Sequence, residues 1–230
     1  MVISLIAFPH WALAQNGSAP NWTGLYAGIN LGNVFNDLQQ EAHHLGFTKV
    51  EDSCDASANF SNFFAGAQIG YAYQFASLVV LGIEGDFTHN FSYTQSLHCI
   101  CPVTPDVADD FIFKNQQQGS IRGRVGYGLW NNQLLPFVNA GVSFADFGLQ
   151  YNNEAGDRYV DNTVQSGWFA GAGVEWKFLH YYSLRLEYFY SDYGNITLSI
   201  PTVYGLYDSN GKATDNLHTN NLKVGFNYWF

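Results

Sequence analysis

Residues 221–230 alternate without a break. Leu222, Val224, Phe226, Tyr228 and Phe230 fall on one side, and Asn221, Lys223, Gly225, Asn227 and Trp229 on the other. A period of two puts each set on its own face of a β-strand. One face is entirely apolar and the other mostly polar. The same alternation recurs at 22–32, 63–75, 79–88, 116–128, 166–178 and in the stretch that follows the turn at 180–182, and 135–145 reads as one further strand. In each of four of these the inward face holds glycine or charge: Gly82, Glu84 and Asp86; Arg122, Arg124 and Gly126; Gly171, Gly173, Glu175 and Lys177; Arg185 and Glu187.

Eight strands result, joined alternately by tight turns, at 76–78, 130–133 and 180–182, and by long polar segments, at 37–61, 89–115, 146–165 and 195–220. Outer-membrane barrels have this rhythm, with short periplasmic turns and long external loops. The expected fold is therefore all-β: an eight-stranded antiparallel up-and-down transmembrane β-barrel with four long outer loops and both termini on the inner side. Composition agrees. Charged residues are 12% of the chain, about half the usual quarter, while aromatics reach 17%. Mean hydropathy is −0.10, and no run of eighteen apolar residues lies beyond the start of the chain, which excludes a helical membrane protein. A soluble eight-stranded barrel would turn its apolar face inward around a ligand. Here the glycines share a face with the charges, so a narrow lumen of small and ionic side chains fits better.

The first fourteen residues are expected to be a truncated signal peptide. Their apolar run leads into Ala12, Leu13, Ala14 and Gln15, a small-x-small cleavage pattern, but they lack a basic leader region. Residues 15–21 then read as a linker and 22–230 as the barrel. A net charge of −10 with only nine basic residues argues against nucleic acid as a partner. Cys54, Cys99 and Cys101 make no zinc framework. In an exported chain Cys54 is expected to pair with Cys99 or Cys101.

Nine charged residues take the inferred lumen face: Glu84, Asp86, Arg122, Arg124, Glu175, Lys177, Arg185, Glu187 and Lys223. Charges shielded from bulk water must be paired, so a network centred on Glu84, Arg122, Arg124 and Glu187 is expected. It either plugs a solid barrel or gates a narrow pore. Five cations against four carboxylates give this set +1, leaving about −11 for the rest of a chain whose net charge is −10, and hence acidic outer loops. His43, His44, His89, His98 and His218 fall in the polar segments without metal-ligand spacing, and neither a GxSxG elbow nor a P-loop occurs. No metal, no cofactor and no enzymatic activity are expected. On the terminal strand a charge is expected to be far better tolerated at Asn227 than at Phe226.

The stretches WTGLYAG (22–28), GIEGDF (82–87), IRGRVGY (121–127), GAGVEW (171–176), LEY (186–188) and YWF (228–230) resemble the OmpA-like eight-stranded outer-membrane barrels, especially the barrel-only porin-like surface antigens. The resemblance covers about residues 21–230. It implies that Leu222, Val224, Phe226, Tyr228 and the terminal Phe230 form the signal read by the outer-membrane insertion machinery, and that the inward Glu and Arg residues are lumen ion pairs. It also implies contact with outer-membrane lipid and lipopolysaccharide in a Gram-negative bacterium. The functional expectation is a structural and surface-interaction role, adhesin- or antigen-like, with a host or environmental ligand at the outer loops; the alternative is a narrow channel for small polar solutes. Full-length OmpA proteins continue into a peptidoglycan-binding domain, so a cell-wall tether is not implied here.

Overall fold

A computed structural model of the chain describes the backbone of residues 20–43, 53–91, 95–100, 108–152, 158–200 and 211–230, and the side chains of 20–35, 61–91, 117–146, 164–194 and 218–230. Nine strands are present among them: β1 (Gly24–His43), β2 (Ser53–Gln74), β3 (Val79–Asn90), β4 (Gln95–Ile100), β5 (Ala108–Tyr127), β6 (Leu134–Asn152), β7 (Arg158–Leu179), β8 (Tyr182–Ile200) and β9 (Gly211–Trp229). All pairings are antiparallel. Sequential neighbours pair from β1 to β3 and from β5 to β9, β3 pairs with the lower half of β5, and β1 pairs with β9. These eight strands close on themselves, which satisfies every strand edge where no water is present to do so. The short β4 lies outside the closed ring and pairs with residues 108–113 of β5.

The strands overrun the bounds expected from alternation. Pairing of β1 with β2 runs on to His43 and Ser53, and that of β8 with β9 to Ile200 and Gly211. Much of what reads as loop is therefore strand, and β4 lies within the segment 89–115. Alternation is imposed only where one face meets lipid and the other the lumen. Where a strand runs on past the membrane that constraint ends, so the pattern need not persist while the backbone continues to hydrogen-bond.

Within the barrel the two faces separate as the period of two requires. Ile29 (62% exposed), Ile69 (57%), Ile83 (61%) and Val138 (59%) point out of the ring with Leu222, Val224 and Phe226. A water-soluble protein does not leave such a band uncovered; a lipid-facing wall consists of one. Its lower rim carries Tyr73, Phe75, Tyr127, Trp176, Phe178, Tyr181, Tyr182, Tyr228 and Phe230, all outward. This is the aromatic girdle of a membrane–water boundary.

The lower rim is also where the chain turns tightly. Phe75 N donates to Val79 O at 2.8 Å around Leu78, whose φ is 66°. The β5–β6 turn takes Trp130, Asn131 and Asn132 through φ values of 50°, 53° and 67°, a left-handed run that two asparagines make tolerable. Phe230 closes the same rim, its N–H donating to Leu25 O at 2.9 Å.

Candidate functional site

An eight-stranded barrel has an interior only wide enough for side chains, and here they fill it in three tiers. The lowest is apolar: Trp22, Tyr26, Ala72, Val80, Leu135 and Trp229 form one buried cluster. Trp22 and Trp229 meet edge to face with ring centres 5.4 Å apart, and Tyr26 lies 4.6 Å from Trp229. Leu135 comes from a strand whose two faces the sequence left unassigned. Tyr26 and Trp229 lie on inward positions of alternating strands, so parity locates them and their role as a floor does not follow from it.

The middle tier holds the charges. Arg185 is its pivot: Nη1 donates to Glu84 Oε2 at 2.6 Å, Nη2 donates to Glu175 Oε2 at 3.1 Å, and Nη1 lies 3.9 Å from Glu187 Oε2. Arg124 Nη1 donates to Glu175 Oε2 at 2.7 Å. Arg122 is bonded to both Asp86 and Glu187, and its Nε lies 3.6 Å from Glu84 Oε1. Lys223 Nζ bridges Asp86 Oδ2 at 3.0 Å and Glu187 Oε2 at 3.3 Å. Four cations thus face four carboxylates, all of them nearly inaccessible to solvent.

Neutral groups add to the shell. Tyr26 donates to Glu84 Oε2 at 2.6 Å, Ser183 Oγ and Asn227 Nδ2 donate to Glu175 Oε1 at 2.6 and 2.8 Å, and Asn139 Nδ2 donates to Glu187 Oε1 at 2.7 Å. The guanidinium faces that remain lie on aromatic rings: Arg122 is 4.7 Å from the centre of Phe169, and Arg124 is 4.8 Å from that of Tyr26. Such stacking suits the weakly hydrated plane of arginine.

Eight of the nine inward charges expected from the sequence are gathered in this tier. The expected centre of Glu84, Arg122, Arg124 and Glu187 lies within it, and Arg185 joins that set by reaching Glu84, Glu175 and Glu187. The ninth, Lys177, stands apart in the floor. Its Nζ donates to Asn21 O at 2.5 Å and sits 3.9 Å from the ring centre of Trp229, and among the described residues no carboxylate lies within ion-pair distance of it.

Above the charges the lumen is polar. A small recess is lined by Phe64, Asp86, Thr88, Gln118, Ser120, Arg122, Phe189 and Lys223. One pleat higher, Asn62, Asn90 and Asn221 are buried with side-chain atoms that have no partner among the described residues, the condition under which a barrel interior takes up water.

The remaining expected residues lie toward the outer end or beyond what is described. His218 is on β9 at the outer rim, its Nδ1 2.8 Å from the Tyr190 hydroxyl and 3.6 Å from Asp192 Oδ1. Among the described residues no three His, Cys, Asp or Glu side chains gather as metal ligands would. Cys54 belongs to β2 and Cys99 to β4; their side chains, the whole of Cys101 and the segment 1–14 lie outside the described residues, as do His44 and the side chains of His43 and His98.

This architecture has relatives. A profile of the family described as "Outer membrane protein beta-barrel domain" matches residues 2–230. The 25 kDa outer-membrane immunogenic protein of Brucella abortus biovar 1 (strain 9-941) is 30% identical over 211 residues, 91% of this chain and 80% of that protein. The 31 kDa outer-membrane immunogenic protein of Brucella melitensis biotype 1 is 30% identical over 221 residues, covering 91% of this chain and 84% of its own. The crystal structure of OprG from Pseudomonas aeruginosa superposes with a TM-score of 0.56 at 11% identity, over 93% of this chain and 99% of that one, a likeness of fold. The chain belongs to the outer-membrane β-barrel family, and its place is the outer membrane of a Gram-negative bacterium.

Proposed function

We propose that the protein is a plugged barrel that serves as a structural element of the outer membrane and acts on its surroundings through its outer face. The observation that carries this reading is the middle tier. Four buried cations and four buried carboxylates pair with one another inside the lumen, and an apolar floor lies beneath them. Parting such pairs without replacing their partners is strongly unfavourable, so a closed lumen is the resting state that this chemistry favours.

What is left for function is the surface. The charge outside the lumen set is about −11 for a chain of net −10, and the relatives from Brucella are named immunogenic outer-membrane proteins. Both support an antigen- or adhesin-like role for the outer ribbons, with lipopolysaccharide flanking them and a basic or host-derived ligand above. The terminal strand, with Leu222, Val224, Phe226, Tyr228 and Phe230, serves as the insertion signal.

A second reading, a narrow path for small polar solutes, is favoured by the polar recess above the charges. Planar-bilayer recording of refolded protein separates the two. Silence up to membrane-rupturing voltage is expected, and a steady conductance would overturn the plugged barrel in favour of the channel.

A further inference from the structure

Residues 20–23, which precede β1, have no strand partner among the described residues, yet each of them is held. Trp22 Nε1 donates to Asn132 O at 2.9 Å and Trp22 N donates to Gln74 Oε1 at 3.1 Å. Asn132 Nδ2 donates to Pro20 O, Lys177 Nζ to Asn21 O at 2.5 Å, and Gln74 N to Thr23 Oγ1 at 2.9 Å. The partners come from the end of β2, the β5–β6 turn and β7. The indole they hold is fully buried, packed between the Lys177 ammonium, 4.8 Å from its ring centre, and Trp229 of the last strand.

We infer that residues 20–23 are a detachable strap that corks the inner mouth of the lumen with the Trp22 side chain. Three features argue for a separate device rather than the frayed start of a strand. The contacts all run through side chains, and three of the five go to Asn132 and Lys177, away from β2, the strand with which β1 pairs. Lys177, the one lumen cation without a carboxylate among the described residues, is committed to the strap and to the two indoles instead of to the ion tier above. And the latch residue Asn132 stands at φ 67°, a conformation whose strain asparagine tolerates better than most residues, so that its amide reaches both Pro20 and Gln74.

The latches exist together only in a closed ring, because they unite β2, the β5–β6 turn, β7 and β9. The strap therefore docks after closure. Once docked, it shuts the floor against the inner aqueous side irrespective of whether the ion tier above conducts.

A labelling experiment tests this without relying on conductance. Gly24 pairs with Ala72, a fully buried lumen position one pleat inside Gln74, so Ala72→Cys in a background of Cys54→Ser, Cys99→Ser and Cys101→Ser reports on the space that the strap covers. The full chain is refolded in lipid vesicles and treated with a water-soluble maleimide, with the exposed turn residue changed instead, Ser77→Cys, as the fast reference. Folding is scored by gel mobility before heating. The thiol introduced by Ala72→Cys should react slowly behind the intact strap. It should react at least about tenfold faster with Trp22→Gly, or with the latch pair Asn132→Gly and Lys177→Met that leaves Trp22 in place, as expected for local opening without global unfolding.

Glycine at 132 keeps the left-handed turn, so the latch pair remains informative should Trp22→Gly fail to fold. Equal labelling with and without the latches would overturn the inference, and so would labelling behind the intact strap as fast as at residue 77.

Discussion

Arg185 is the side chain on which the middle tier turns, so its removal is the most searching perturbation. Arg185→Met keeps much of the side-chain length and deletes the bonds to Glu84 at 2.6 Å and to Glu175 at 3.1 Å, together with the contact at 3.9 Å to Glu187. Arg124 still holds Glu175, while Arg122 and Lys223 still hold Glu187. The orphan is Glu84, left with the Tyr26 hydroxyl at 2.6 Å and the Arg122 guanidinium at 3.6 Å. Stranding a buried charge costs about 3–5 kcal/mol. Glu84→Gln alone preserves an acceptor for Tyr26 but weakens the bond from Arg185 and leaves the tier with one cation too many, which costs about 2–3 kcal/mol.

Combining the two changes removes both members of the pair and restores charge balance. The double variant should therefore be less destabilised than the sum of the singles by about 2–3 kcal/mol, the upper end of couplings between contacting residues. Urea unfolding of protein refolded in detergent, followed by tryptophan fluorescence, reads all four members of the cycle, provided that the denaturant slope stays constant. Additivity within about 0.5 kcal/mol would refute the reasoning. So would a loss below about 1 kcal/mol for Arg185→Met, which would mean that water already solvates the tier.

The same packing sets three further outcomes. At the lipid-facing Phe226 a change to Leu should be nearly neutral and a change to Arg should cost about 2–4 kcal/mol. At Asn227 the apolar Leu should be the damaging choice, because it strands Gln68 Nε2, now 2.6 Å from the amide oxygen, and leaves Glu175 Oε1 with Ser183 alone of its two donors, at about 1–3 kcal/mol; urea midpoints in detergent decide both. A methyl at Gly173 would meet the Phe137 ring at 2.6 Å and Glu187 Cα at 3.1 Å, whereas one at Gly123 meets nothing within 4 Å. Gly173→Ala should therefore lower refolding yield sharply, while Gly123→Ala should leave it unchanged or gain about 0.5 kcal/mol in stability. Deleting Phe230 removes one rim hydrogen bond, to Leu25 O, so membrane yield in cells should fall much further than the stability of refolded protein if the terminal residue acts as an insertion signal.

How far the sequence speaks depends on which force sets each feature. Lipid on one side and a crowded lumen on the other write a period of two into the residues between, and the eight strands, their order and the side on which each side chain stands are legible from it. Where strands leave the membrane that selection ends, which is why β1 and β9 outrun their alternating stretches and why β4 leaves no trace in the pattern.

Facing direction is one quantity and neighbourhood another. Cross-strand register sets Glu84 opposite Arg122, the partner that adjacency suggests, yet the short bond runs across the lumen to Arg185 on β8. The reason is that a closed barrel brings distant strands within one side chain's reach, and no local pattern encodes the curvature that does so. Asn227 makes the same point about space. Its polarity announces an inward position, and an inward polar position invites the expectation that a charge would be tolerated there. In the structure it is fully buried between Gln68 and Glu175, so an arginine would find no room. Polarity at this position marks commitment to named partners, which a larger charged side chain would have to displace.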